Sequence, residues 1–291
     1  MGINILWRLI LLSAIWGASF LFMRVSVPEF GPVPLILIRV SGAALFLLPT
    51  LRNASTRSAI KENAGRLLVL SLLNSVIPFC LLAFATLRIE AGFASLLNAT
   101  TPLFAALVGA ALLAQPVTRN QFIGILLGMI GVAIISFDRM SFKQGGSGWA
   151  IVAALCAAMS YGLAGHYTRQ RLKNIASPTL AVGSMVAATF VLIIPGILLW
   201  PTTPISNTGW SCGVTLAIIC TAAAYLLYFH IIEHAGALIG ATVTFLIPLF
   251  AVVWGIVFLD EQVNGPMVSG MLVTLLGTSL AINFFPRRRI G

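Results

Sequence analysis

The sequence predicts an all-α polytopic membrane protein with ten transmembrane helices, arranged as two inverted repeats of five helices each. Three observations predict it: a shortage of charged residues, ten long apolar stretches, and a similarity between the two halves. Of the 291 residues, 59% are hydrophobic and 8% are charged, whereas a soluble domain carries about 25% charged residues. Such a chain cannot cover a water-exposed surface, which excludes a soluble enzyme. The net charge of +10 is spread over loops between apolar stretches, so it does not indicate a nucleic-acid partner.

Ten apolar stretches are each long enough to cross a bilayer, which takes about 20 residues of helix. They are continuous rather than alternating in polarity, and this favours helices over the strands of a barrel. The connections between them are short, which leaves little chain for a soluble domain. The ten stretches are roughly 5–24, 33–51, 65–88, 91–115, 120–137, 147–168, 177–200, 211–235, 237–260 and 265–286.

Basic residues in the short loops predict the orientation, because cytoplasmic loops carry an excess of Lys and Arg. With the N-terminus inside, the cytoplasmic basic residues are Arg8, Arg52, Arg57, Lys61, Arg66, Arg119, Arg169, Arg171, Lys173, Arg287, Arg288 and Arg289. The external ones are Arg24, Arg88, Arg139 and Lys143. Twelve against four is a strong bias, so both termini are predicted to be cytoplasmic.

The two halves of the chain resemble each other. The sequence Pro-Leu-Phe-Ala occurs at 102–105 and again at 248–251, a shift of 146 residues. Trp16-Gly17 matches Tyr161-Gly162 at a shift of 145. The sequence therefore predicts a first five-helix repeat at 1–143, a Gly/Ser linker at 144–148 and a second repeat at 149–291.

An odd number of spans in each half means that the second repeat starts on the opposite side of the membrane, so the repeats are inverted. Inverted repeats are typical of secondary transporters, whose binding site lies near the midplane between the halves. Two similar packings, exchanged by the pseudo-symmetry, then give inward-open and outward-open states of comparable energy. Duplication that serves packing alone is the alternative interpretation.

Several of these residues resemble a known family. Trp16-Gly17-Ala18-Ser19-Phe20, then Arg39 with Ala43 and Ala44, and the two Pro-Leu-Phe-Ala blocks are similar to EamA-type members of the drug/metabolite transporter (DMT) superfamily. The resemblance covers nearly the whole chain. It implies export of small metabolites, often amino acids, or of drugs, and the chain looks most like bacterial inner-membrane exporters of aromatic and other amino acids. One departure is that the Gly-Glu pair common after the fourth span reads Ala114-Gln115 here, while the second repeat has Asp260-Glu261.

Polar and aromatic side chains within the spans, several of them beside prolines, form the candidate substrate site. Paired helix interruptions in the two halves are the best sequence indicator of a transport site, and Pro78, Pro102 and Pro248 are predicted as gating kinks. The candidate substrate-binding residues are Trp16, Asn74, Ser75, Asn98, Thr101, Tyr161, Tyr225, Tyr228 and Thr244. For the threonines the alternative is a bond to the residue's own helix backbone, and for the aromatic rings it is plain packing.

Arg39 lies within the second span, where an ionisable side chain is costly and therefore a functional candidate. It is predicted either to attract a substrate carboxylate or to serve as a structural charge that snorkels or bonds to backbone carbonyls. No carboxylate lies in the middle of a predicted span. The membrane-embedded Glu of the small multidrug pumps in the same superfamily is therefore absent from this chain.

The predicted function is that of a secondary transporter, located as a multi-pass protein in the bacterial inner membrane. It is expected to export small metabolites by alternating access, with amino acids, aromatic ones included, as the leading substrate class. The alternatives are a drug or cation exporter of the same fold and a polytopic membrane enzyme. No catalytic residue, metal site or cofactor is expected, since the paired acids and nucleophile motifs of membrane enzymes are missing. The expected partners are a small-molecule substrate and the lipid bilayer, with monomer and homodimer both open.

Overall fold

The structure is a computed structural model that describes residues 3–114, 116–137 and 140–281. Gln115, Arg139 and Arg287, Arg288 and Arg289, which the sequence analysis used, lie outside the described residues. In the described part of the chain, all regular structure is helical. This confirms the predicted all-α class.

Within the described residues, nine helices are long and apolar enough to cross a membrane. They are α1 (Asn4–Phe30), α2 (Pro32–Arg52), α3 (Ala64–Thr86), α4 (Ala91–Leu112), α5 (Arg119–Ser136), α6 (Gly148–Arg171), α7 (Ser177–Leu198), α8 (Asn207–Ala235) and α9 (Ile239–Leu259). The tenth predicted stretch begins as the shorter apolar helix α10, Gly265–Ala281, which ends where the described residues end. Ten spans and their inversion therefore stay predictions.

Local sequence explains where several spans begin and end. Gly31 has a φ of 75° between α1 and α2, a value that favours glycine, and Pro32 follows at the first turn of α2. Thr118 caps α5 through a reciprocal pair of hydrogen bonds with Gln121. The C-terminal caps of α4 and α9 are both left-handed, at Ala114 (φ 49°) and Asp260 (φ 53°). These two positions are 146 residues apart, the shift of the sequence repeat.

The helices of one half pack closely on those of the other half. A Cβ atom added at Gly17 of α1 would lie 2.8 Å from the Phe250 Cβ and 2.9 Å from the Ala251 nitrogen of α9. One added at Gly162 of α6 would lie 2.9 Å from the Ala105 nitrogen of α4. Gly162 follows Gly17 by 145 residues and Ala251 follows Ala105 by 146, so the two close contacts are repeat equivalents.

Four spans are interrupted. α3 contains a π-helical segment at Leu72–Val76 and α8 contains one at Ile218–Ala223. α4 consists of Ala91–Asn98 and Thr101–Leu113, and the short helix Ala237–Ala241 precedes the rest of α9. Such π-helical segments are rare and frequently mark functional sites.

The three prolines predicted as gating kinks differ in their position relative to the helix interruptions. Pro78 and Pro102 each lie in the first turn of a helical piece, directly after an interruption. Pro248 lies inside the continuous helix Val243–Leu259, and the interruption of this span is at Thr242. The predicted kink at Pro248 therefore lies inside a continuous helix, and its gating role stays a prediction. Proline removes one backbone donor, and the other backbone bonds of this helix continue past it.

Candidate functional site

A cavity of about 270 Å³ lies in the interior between the two halves. α1, α2, α3 and α4 of the first half and α6, α8 and α9 of the second half supply its walls. The lining residues are Trp16, Ser19, Phe20, Met23, Arg39, Asn74, Phe79, Leu82, Ser95, Asn98, Ala99, Thr101, Tyr161, Cys220, Tyr225, Tyr228, Thr244 and Ile247.

The structure brings most of the predicted site residues together in this cavity. Those that line it are Trp16, Arg39, Asn74, Asn98, Thr101, Tyr161, Tyr225, Tyr228 and Thr244. Ser75 is not among them; it is fully buried, and its Oγ has no hydrogen-bond partner among the described residues. Pro78, Pro102 and Pro248 also lie outside the lining. Their roles in binding and gating stay predictions.

Each of the three prolines lies four residues after a residue that lines the cavity. Because proline has no N–H, it cannot bond the carbonyl four residues earlier in its helix. For Pro78, Pro102 and Pro248 those carbonyls belong to lining residues, namely Asn74, Asn98 and Thr244. The Asn98 carbonyl instead accepts a bond from the Thr101 hydroxyl at 2.7 Å.

Each π-helical segment contains a polar side chain that contacts a residue lining the cavity. Asn74 in the segment of α3 donates from Nδ2 to the Tyr225 hydroxyl at 3.2 Å. Thr221 in the segment of α8 accepts a bond from the Arg39 Nε at 2.9 Å. Asn74 and Thr221 lie 147 residues apart, close to the repeat shift. Each segment thus places a polar side chain against a residue of another helix that lines the cavity.

Arg39 brings a positive charge to the wall of the cavity. The residue is 5% exposed. Besides Thr221, its guanidinium group contacts the Met23 sulfur at 3.7 Å and lies 3.8 Å from the centre of the Phe79 ring. Among the described residues, no Asp or Glu pairs with it. Hydrogen bonding and a cation–π contact hold the group in place, but they leave its charge without a counter-ion.

Aromatic rings form one wall. The Trp16 ring centre lies 5.2 Å from that of Tyr228 and 6.3 Å from that of Tyr225. Tyr161, the repeat equivalent of Trp16, lies 6.5 Å from Phe79 in an edge-on arrangement. These are ordinary distances for packed rings, so the rings both pack against each other and present a surface to the cavity.

Two polar atoms in the lining have no partner in the described part of the chain: Ser95 Oγ and Asn98 Oδ1. Buried polar atoms nearly always have a hydrogen-bond partner, and leaving one unpaired costs about 1–3 kcal/mol. By contrast, Thr101 and Thr244 donate to carbonyls three residues earlier in their own helices. The oxygens of Ser95 and Asn98 are therefore buried acceptors in the lining that no described donor uses.

Several residues that line the cavity were not among the predicted site residues. Ser19, Phe20 and Met23 follow Trp16 by three, four and seven positions, which places them on the same helix face. Ser95 precedes Asn98 by one turn in the same way. Helical spacing around the predicted residues could have found these side chains. It could not have found Cys220, whose approach to the cavity depends on the wider π-helical turn.

Among the described residues, His, Cys, Asp and Glu form no group of three that could hold a metal ion. No described acid or histidine belongs to the cavity lining.

Comparison with known proteins identifies the family. The model of the EamA-like transporter family matches residues 4–137 and again residues 148–283. Protein PecM of Dickeya dadantii is 26% identical over 282 residues, which cover 94% of this chain and 92% of that protein. A probable terminal-alkyne amino-acid exporter of Streptantibioticus cattleyicolor is 24% identical over 98% of this chain and 94% of the relative. One crystal structure superposes with a TM-score of 0.69 at 16% identity and covers 98% of this chain and 99% of that one, a likeness in fold. The chain belongs to the EamA-like transporter family.

Proposed function

We propose that this transporter exports amino acids across a bacterial inner membrane by alternating access. The observation that carries the proposal is the cavity between the halves, which holds one unpaired positive charge, unpaired acceptor oxygens and an aromatic wall. These three features match the carboxylate, the ammonium group and the side chain of an amino acid.

The charge of Arg39 favours a ligand with a carboxylate. A guanidinium group can bind a carboxylate with two parallel hydrogen bonds, and such charge-assisted bonds are about twice as strong as neutral ones. Nε of Arg39 donates to Thr221 and Nη1 contacts the Met23 sulfur, which leaves Nη2 and the second N–H of Nη1 for a ligand. Because the lining contains no acid, a purely cationic drug would meet the Arg39 charge without compensation. This argues against the alternative of a cation exporter.

The ammonium group of the substrate is assigned to the neutral acceptors. Asn98 Oδ1 and Ser95 Oγ are buried and unpaired among the described residues. A substrate N–H that bonds to them would remove the cost of leaving them unpaired. The side chain of the substrate then contacts Trp16, Tyr225 and Tyr228, a surface that suits apolar and aromatic groups.

Alternating access is supported by the repeat. The close contacts of Gly17 with α9 and of Gly162 with α4 are repeat equivalents on either side of the cavity. The four interrupted spans α3, α4, α8 and α9 all line the cavity. Broken helices around a midplane site are the usual construction of secondary transporters, so these spans are the parts proposed to move.

The test is uptake by proteoliposomes of a labelled amino acid and, in parallel, of the amine formed from it by decarboxylation. The expected result is saturable uptake of the amino acid and weak uptake of the amine, because only the amino acid offers a carboxylate to Arg39. Empty liposomes correct for leakage. Equal uptake of both compounds, or uptake that never saturates, would refute the proposed substrate class.

A further inference from the structure

Glu261 joins the two halves at the end of the molecule that is predicted to be external. It directly follows α9 and the left-handed cap at Asp260, and it is half-buried. Its Oε1 accepts a hydrogen bond from the Ala91 backbone N–H at 2.7 Å, and its Oε2 accepts one from the Gly92 N–H at 3.3 Å. Both donors belong to the first turn of α4, where backbone N–H groups have no partner within the helix.

The helices at this end are tightly packed. A Cβ atom added at Gly92 would lie 2.8 Å from Val252 Cγ2 and 3.2 Å from Val252 Cα of α9. The start of α4 therefore lies directly against α9. Glu261, which follows α9, adds to this contact because its carboxylate accepts the N–H groups of Ala91 and Gly92.

The repeat-equivalent glycine at the opposite end has different surroundings among the described residues. Gly236 corresponds to Gly92 at a shift of 144 residues. Among the described residues, nothing lies within 4 Å of a Cβ atom added at Gly236. The short helix Ala237–Ala241 that follows makes its main contacts with its sequence neighbours, Ala224–Ala235 and Val243–Leu259. The start of α4 is thus packed tightly on α9 at the predicted external end, whereas no described residue packs on Gly236 at the predicted cytoplasmic end.

The two repeat-related positions also differ in residue type. The residue that corresponds to Glu261 in the first half, at a shift of 146, is Gln115. Only one of the two repeat-related positions therefore carries a titratable acid. A carboxylate has two acceptor oxygens and no donor, whereas an amide has one acceptor oxygen and a donor group. Two backbone N–H groups are better matched by the carboxylate.

We propose that Glu261 is a positioning residue of the external gate, defined as the contact of Glu261 with Ala91 and Gly92, and that this contact sets the resting orientation of the transporter. Holding the start of α4 against α9 favours the outward-closed state, in which an exporter is ready to receive substrate from the cytoplasm. The inference rests on the proposed alternating access and on the predicted orientation. It does not depend on the identity of the substrate.

The surroundings of Glu261 act on its charge in both directions. Burial raises the pKa of the Glu261 carboxyl above its usual value, while the N–H groups of Ala91 and Gly92 act in the opposite direction and weaken the rise. Nearby Glu90 adds to the rise, and Arg24 opposes it. The two backbone bonds favour the carboxylate, the form of the side chain that can accept both N–H groups.

The test measures how often the cavity opens to the outside. Ser95 lines the cavity and is 1% exposed, so Ser95→Cys in a chain without its four native cysteines places a thiol behind the gate. A membrane-impermeant thiol reagent is added outside intact cells, and the labelling rate is divided by that of Thr202→Cys in the exposed external loop. Glu261→Ala is expected to raise this ratio at least about tenfold, because both lost hydrogen bonds are to a charged group. Glu261→Gln keeps one acceptor and is expected to restore most of the wild-type ratio.

Glu29→Ala is the matched control. Glu29 also accepts two hydrogen bonds, from the Ser206 backbone N–H at 2.6 Å and the Ser206 hydroxyl at 2.8 Å. That contact ties the end of α1 to the start of α8 and does not involve α4 or α9. Glu29→Ala is therefore expected to leave the labelling ratio unchanged. An equal rise in both variants, or none in Glu261→Ala, would overturn the proposal.

Glu261→Gln also covers the case in which Glu261→Ala does not reach the membrane. An amide keeps one acceptor oxygen where the carboxylate has two, so a labelling ratio slightly above that of the wild type is expected. A ratio at or below that of the wild type would overturn the proposal. Since labelling needs no substrate, a gate that responds as expected in a protein that moves no amino acid would refute the proposed substrate class alone.

Discussion

Replacing Arg39 by Gln is the most direct test of the cavity. The substitution removes the charge but keeps a side chain that can still bond Thr221, which now lies 2.9 Å from the Arg39 Nε. A hydrogen bond to a charged group contributes about 1.5–3 kcal/mol. Since 1.4 kcal/mol corresponds to a tenfold change in an equilibrium constant, Arg39→Gln is expected to weaken amino-acid binding by about 10- to 150-fold.

The assay compares the KM of an amino acid with that of its decarboxylated amine in proteoliposomes that contain equal amounts of folded protein. Arg39→Gln is expected to raise the KM for the amino acid and to leave the KM for the amine unchanged or lower it. Arg39→Lys keeps the charge but not the planar group that binds a carboxylate at two points. Its KM for the amino acid is expected to fall between those of the wild type and Arg39→Gln.

A purely structural Arg39 predicts a different result. In that case the contacts with Met23, Thr221 and Phe79 would serve packing, and Arg39→Gln would lower Tm and the yield of folded protein. The preference for amino acid over amine would then be the same in variant and wild type. A wild-type KM for the amino acid in folded Arg39→Gln would refute the assignment of Arg39 to the substrate carboxylate.

Three further predictions concern the lining, the helix contacts and a helix cap. Asn98→Ala is expected to raise the KM for an amino acid about tenfold through the loss of an acceptor, with Tm unchanged. Thr101→Ala is expected to have a smaller effect on KM, because the Thr101 hydroxyl already donates to a carbonyl of its own helix. A wild-type KM in both variants would contradict this placement. Gly17→Val is expected to abolish uptake and lower Tm, since its side chain would overlap the Ala251 backbone; a wild-type Tm would contradict the close contact. Ala114→Gly is expected to stabilise the protein by up to about 1 kcal/mol, because φ is 49° there, and a lower Tm in thermal unfolding would contradict this.

The membrane class follows from the sequence alone. A chain with 8% charged residues and ten apolar stretches has no arrangement in water that covers its apolar surface, and in lipid its backbone must form helices. Equivalent residues such as Gly17 and Gly162 indicate from the sequence that the chain consists of two related halves. The cluster of polar candidates was predictable as well, because Asn74 and Asn98 are costly in lipid and must face protein or a cavity.

Tertiary packing decided the rest. Whether Arg39 pairs with an acid depends on residues that are far from it in the sequence. In the structure its Nε donates to Thr221, which is 182 positions away, and not to a carboxylate. The π-helical turns and the break of α9 at Thr242 instead of Pro248 arise from contacts between helices, since local propensity alone would have continued the α-helix. Gly92 and Gly236 are the same residue type at equivalent positions, yet only Gly92 has a close neighbour among the described residues. Their different surroundings depend on how the two halves pack together.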